Sequence, residues 1–174
     1  MGDPHRRLRD PHPQLSDAGR KEGKLPADQT SLRIVQGVFA GPGPVIHPET
    51  EPFWTALGEG QFLIQRCASC GTRRFPIAPV CHACLTFAFE WEALPSAGNL
   101  QVAVLVSRAS AAWEGAVPFT VGLVNMAYGI RLAGRIFCQC GAGSSPGAPL
   151  ELCSIPAAKS GYVYAYIHKC WEMS

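Results

Sequence analysis

The stretch Cys67-Ala-Ser-Cys70 and Cys81-His-Ala-Cys84, two C-x-x-C turns separated by residues 71–80, decides how the chain is read. A C-x-x-C turn sets two sulfurs on one side of a tight loop, and two such turns facing each other supply four thiolates near the corners of a tetrahedron. Zinc suits this set, because it has no ligand-field preference and accepts four soft ligands. A closed four-sulfur shell leaves no position for water or substrate, so the metal is expected to be structural. Iron in a similar four-sulfur site is the rival, and disulfides or free thiols are the bland reading. Gly71 supplies positive φ after the first pair, whereas Leu85 follows the second, so the second turn is expected to be less regular. His82 lies inside a pair whose cysteines already fill the shell and is not assigned to the metal.

Outward from the cysteines, strands at Gln61 to Arg66 and Arg73 to Ile77 make a small ribbon, too small to fold without its metal. Upstream, Pro48 to Gly60 reads as a short helix. Thr50 stands as N-cap, Pro52 in the first turn, and Phe53, Trp54 and Leu57 on one side that packs against the ribbon. Ser31 to Phe39 is apolar enough to dock on the body, and Gly41-Pro-Gly-Pro44 forbids regular structure after it. Residues 1–31 mix Pro, Arg, Lys, Asp and His with few large apolar groups, a composition that cannot offset its ordering entropy. His5 and His12 lack partner spacing and belong to a solvated tail. Three regions follow: a disordered or extended tail and arm over 1–47, helix plus ribbon over 48–86, and a barrel domain over 87–174.

From residue 87 onward the pattern is strands: Phe87 to Leu94, Leu100 to Arg108, Phe119 to Met126, Ile130 to Cys138, Leu150 to Ile155 and Tyr162 to His168. Gly98-Asn99, Tyr128-Gly129 and Ser160-Gly161 carry hairpin chemistry between them. Short strands over this length form a small closed barrel, OB-like first, SH3-like or an open sandwich otherwise. Val102, Val104 and Val106 alternate with Ala103 and Leu105, so the strand is apolar on both faces, as a wall covered by another protein would be.

Composition excludes more than it assigns. The 174 residues carry 15 basic and 13 acidic side chains, for a net charge of +2, far from a nucleic-acid-binding balance. No apolar run is long enough for a membrane span and no leader pattern precedes the body, so a cytoplasmic location with reduced thiols is expected. Cys138, Cys140, Cys153 and Cys170 lack metal-pair spacing and read as free thiols. None stands in an arrangement that would make it a nucleophile, so no catalytic residue is assigned. Glu90 and Glu92 alternate on a solvated strand edge.

Phe53-Trp54, Gln65-Arg66-Cys67-x-x-Cys70-Gly71, Arg74-Phe75-Pro76, Cys81-x-x-Cys84, Pro118-Phe119-x-x-Gly122-Leu123-Val124 and Gly129-Ile130-Arg131-Leu132 resemble the DUF35 family. The resemblance runs over about residues 48–168, with order and spacing matching through both modules; Leu85, the loop at 141–149 and the N-terminal tail depart from it. It implies a mainly β protein in which an N-terminal helix and a rubredoxin-like zinc ribbon precede a small OB-fold barrel. It also implies a non-catalytic accessory subunit, inactive alone, in a hetero-oligomer with a thiolase-superfamily catalytic subunit that forms or cleaves carbon–carbon bonds. Acyl-CoA would then be held jointly with that partner. Arg108, Arg131, Arg135 and Lys159, with Arg66, Arg73 and Arg74 on the ribbon, are the cations available to its phosphates. The CoA-binding residues are left unassigned. A stand-alone acyltransferase has no nucleophile to support it. The rival reading, a zinc-ribbon and OB-fold protein binding single-stranded nucleic acid, requires a basic groove with aromatic platforms, where these strands offer Val, Ala, Leu and Gly.

Overall fold

The computed structural model describes residues 30–37, 39–158 and 161–170. Most of the tail, with His5 and His12, and also Lys159 and Ser160, lie outside the described residues. The arm docks: β1, Arg33–Ile34, runs parallel to β8, Pro149–Pro156, while Leu32 and Phe39 are buried on either side of it. Gly41 then packs against Trp113, where a Cβ would fall 2.5 Å from the indole.

Helix α1, Glu51–Gly58, starts with Pro52 in its first turn, where a missing N–H has no consequence. Thr50 is its N-cap by position, but the hydroxyl donates to His47 O at 3.0 Å and makes no bond to the helix N–H groups. Phe53, Ala56 and Leu57 form the buried face. That face meets both modules and not the ribbon alone. Phe53 packs on Phe62 and Phe75 of the ribbon region, and these two pack in turn on Tyr164 of the barrel. The Ser154 hydroxyl donates to Leu57 O at 2.7 Å in a buried position. One core therefore runs from Phe53, Leu57, Phe62 and Ile64 through Leu94 into Leu100, Leu132, Leu152 and Tyr166.

The ribbon has three strands, in the order β3 (Arg73–Arg74), β2 (Leu63–Cys67), β4 (Phe89–Ala93), all antiparallel. β4 corrects the strand expected to open the barrel. It pairs with β2 in the register Leu63↔Ala93 to Cys67↔Phe89 and completes the ribbon instead. Its carboxylates face ribbon cations: Glu92 reaches Arg73 Nε at 2.9 Å in a largely covered pair, while Glu90, 3.7 Å from Arg66, stays on a solvated edge as expected.

The barrel is a closed ring of five strands: β5 (Ala97–Val106), β6 (Phe119–Asn125), β7 (Arg131–Phe137), β9 (Tyr162–Ile167) and β8, which returns to β5. All pairings in the ring are antiparallel except β7 with β9, the arrangement of an OB fold. Gly98-Asn99 is not a turn but lies inside β5. Glycine is needed there for close approach, since a Cβ would sit 2.4 Å from Met126 Sδ and 2.6 Å from Val124. Tyr128-Gly129 does turn with positive φ at both residues, 60° and 72°.

Candidate metal centre

The two C-x-x-C turns face each other as expected. Cys67 Sγ lies 3.5 Å from Cys84 Sγ, Cys70 Sγ lies 3.7 Å from Cys81 Sγ, and all four sulfurs fall within 4.8 Å of one another. A tetrahedron with Zn–S bonds near 2.3 Å has edges of about 3.8 Å, so the donor set fits a zinc ion with little movement. His82 is exposed and outside this group.

Both turns share one backbone pattern, which corrects the expectation for the second. Gly71 N–H donates to Cys67 O and Leu85 N–H to Cys81 O, at 3.0 and 2.9 Å; Cys67 N–H donates to Thr72 O and Cys81 N–H to Thr86 O, each at 2.9 Å. Leu85 takes φ of 62°, close to the 73° of Gly71, so it adopts the left-handed conformation without being glycine. Closing the loop over the four sulfurs overrides the local preference.

The turns also favour the anionic form of two of the sulfurs, Cys67 and Cys81. Thr86 Oγ1 sits 3.3 Å from Cys67 Sγ, and this contact, followed by the Cys70 backbone N–H, draws the Cys67 thiol down to about 5. The backbone N–H groups of Cys84 and Ala83 lower Cys81. At Cys84 the Thr86 hydroxyl also lowers the pKa, but the Cys70 and Cys67 sulfurs together with burial outweigh it, and the net shift is upward. Four close sulfurs hold negative charge badly without a cation among them.

Beneath the site, buried Arg74 donates from Nε to Gln65 Oε1 at 2.9 Å and from Nη2 to Ala78 O at 3.2 Å. This ties the excursion to β2 and removes Arg74 from the surface. Arg73 is held by Glu92 and lies over the Tyr128 ring at 4.1 Å. Arg135 is flanked by Phe119 and Phe137, each 5.0 Å from its guanidinium carbon. Arg108 and Arg131 stay exposed. The register spreads these cations: Arg131 lies opposite Asn125 and Arg135 opposite Val121, about 13 Å along the same strand. They do not converge into one phosphate cradle.

Cys153 is buried; its thiol donates to Ala165 O at 3.4 Å, and burial pushes it up to about 12, the state of an inert thiol. The other three barrel cysteines lack pair spacing and are expected as separate free thiols, yet the fold gathers Cys138, Cys140 and Cys170 around His168. The available signal was Cys138-x-Cys140 and His168-x-Cys170, two ligand pairs of equal spacing at the ends of two strands.

The expected apolar wall is present. Val102, Val104 and Leu105 are 50, 58 and 69% exposed. They lie where β5 has run past β8, which pairs only with Ala97 to Asn99, so beyond that point one edge of β5 bonds to β6 and the other has no strand partner among the described residues.

Residues 54–90 match the family model for the ChsH2 rubredoxin-like zinc ribbon domain. A curated relative, a probable enoyl-CoA hydratase alpha subunit from Thermomonospora curvata, is 33% identical over 92 residues; the match covers 52% of this chain and only 28% of the relative. The solved Ltp2-ChsH2(DUF35) aldolase contains a chain with 24% identity and a TM-score of 0.63, over 72% of this chain and 98% of that one. A DUF35-family protein of unknown function from Sulfolobus solfataricus gives 17% identity and a TM-score of 0.45, over 60 and 77%. Among the described residues no helix is long and apolar enough to cross a membrane. Residues 54–90 thus match the ChsH2 rubredoxin-like zinc ribbon model, within a chain that has the DUF35 fold.

Proposed function

We propose that this protein is a non-catalytic accessory subunit of a thiolase-superfamily enzyme that cleaves or forms carbon–carbon bonds in acyl-CoA substrates. Cys67, Cys70, Cys81 and Cys84 hold a structural zinc ion. The metal fixes helix, ribbon and barrel in one orientation, and the barrel wall covers or completes the acyl-CoA site of the catalytic partner. The observation that carries this reading is the exposed Val102, Val104 and Leu105 on a strand with an open edge, since large apolar side chains left exposed on both faces of an unpaired strand edge favour a protein partner. Its support comes from the fold likeness to a chain solved as part of an aldolase pair, and from a relative named as the subunit of a CoA enzyme.

Affinity capture of the full chain from its native cells, with native mass spectrometry of the product, tests the assignment. The expected result is a hetero-oligomer with a thiolase-superfamily subunit. Val104→Asp should keep the zinc and the melting temperature while weakening that complex by about 10- to 100-fold, equivalent to about 1.4–2.8 kcal/mol. A monodisperse zinc-loaded chain that captures no such subunit would overturn it, as would turnover of an acyl-CoA by the isolated chain.

A further inference from the structure

We infer that the barrel holds a second metal site, a closed zinc centre with three cysteine ligands and one histidine, made by Cys138, Cys140, His168 and Cys170. The site follows from the parallel contact that closes the ring. β7 and β9 pair through Ile136↔Tyr166 and Phe137↔Ile167, and His168 N–H extends the pairing by donating to Phe137 O at 3.1 Å. Two strands therefore end side by side and pointing the same way. The next residue is Cys138 on one and His168 on the other, and two positions later each chain supplies a second sulfur, Cys140 and Cys170.

The donor atoms converge. Cys138 Sγ lies 3.5 Å from Cys140 Sγ and 3.4 Å from Cys170 Sγ. His168 Nδ1 lies 3.5 Å from Cys140 Sγ and 3.1 Å from Cys170 Sγ, and all four ligand atoms are within 4.8 Å of one another. Zinc with sulfur at about 2.3 Å and nitrogen near 2.0 Å has tetrahedral edges of about 3.8 and 3.5 Å, so small adjustments seat the ion. His168 is buried, and among the described residues the N–H that reaches its Nδ1 is that of Cys170, at a long 3.4 Å; with the ring proton on Nε2, zinc would take the Nδ1 lone pair in place of that bond.

The surroundings match those of a metal–thiolate site. Gly143 N–H donates to Cys138 Sγ at 3.2 Å, as backbone N–H groups do in the ribbon turns. Gly143 has room for no side chain: a Cβ would sit 2.8 Å from His168 Cβ and 2.9 Å from Cys138 Sγ. A disulfide within the cluster would satisfy two sulfurs and leave a buried imidazole nitrogen aimed at the third. Binding releases three thiol protons to solvent and leaves Zn2+, three thiolates and a neutral imidazole, a net charge of −1. With every position filled by protein, the ion is structural. It clamps the short parallel seam on which ring closure depends.

Metal content of the full-length protein, purified under reducing conditions with zinc, tests this directly. Two zinc ions per chain are expected by native mass spectrometry, and one in the Cys140→Ser, Cys170→Ser double variant. After replacement by Co2+, the wild-type minus double-variant spectrum should show the thiolate charge-transfer and d–d bands of a set with three sulfurs and one nitrogen, at shorter wavelength than the four-sulfur bands that remain. One zinc per wild-type chain would overturn the proposal whatever the variant does, and so would a Cys138–Cys170 disulfide in that preparation. The wild-type count also stands apart from the accessory-subunit assignment, which can fail without touching it.

Discussion

The two ligand clusters of this protein use the same thiol chemistry and reach it by different routes. In the ribbon, four cysteines lie within residues 67–84, and two tight turns with the same hydrogen bonds present them. At the barrel end, the donors Cys140 and His168 are 28 residues apart, and Cys138 and Cys170 are 32 apart. No local turn joins them; the register of β7 against β9 does. A site made by turns is written in spacing, and a site made by strand pairing exists only after the barrel has closed. The first is coupled to folding of the ribbon, and the second should act on a structure that is already formed.

That contrast breaks most severely if the ribbon metal is dispensable. Cys67→Ser should release the ribbon zinc and melt the ribbon, with a loss of stability on the order of 5 kcal/mol or more, because structural zinc sites contribute folding energy outright. The single core shared by Phe53, Phe62, Leu152 and Tyr166 should carry the damage into the barrel, measurable as a lower melting temperature for the whole chain and loss of partner binding. A metal-free variant that still folds and assembles would remove the distinction between the clusters.

A smaller effect is expected at the barrel end. Gly143→Ala forces a methyl against Cys138 and His168 and should cost about 1–3 kcal/mol by overpacking. Chelator competition should show the second metal released at lower chelator concentration, with the ribbon metal unchanged. The smallest change sharpens the ribbon itself. Leu85→Gly relieves a left-handed leucine, worth about 1–2 kcal/mol, but gives the unfolded chain more freedom, worth about 0.5–1 kcal/mol. The net should be a stabilisation of about 0.5 kcal/mol in denaturant unfolding, at unchanged zinc stoichiometry.

The cations show the same dependence on context. Arg66, Arg73 and Arg74 look alike in sequence, yet Arg66 stays on the surface, Arg73 is locked to Glu92 over Tyr128, and Arg74 is buried beneath the excursion. Residue type set their charge; only the pairing of β2 with β3 and β4 set their surroundings. The same pairing took Phe89–Ala93 out of the barrel, an outcome that alternation alone does not reveal, because a half-buried strand reads identically in either sheet.

By itself the sequence determined the first cysteine cluster, the short helix, the strand content and the apolar character of β5. Each of these depends on spacing or periodicity within a few residues, where backbone geometry leaves little choice. The tertiary structure decided which sheet β4 joins, why Gly98 must be glycine, and that Cys138, Cys140, His168 and Cys170 meet. These are long-range facts, fixed by register between strands distant in the chain, and a register is chosen by the packing of the whole core.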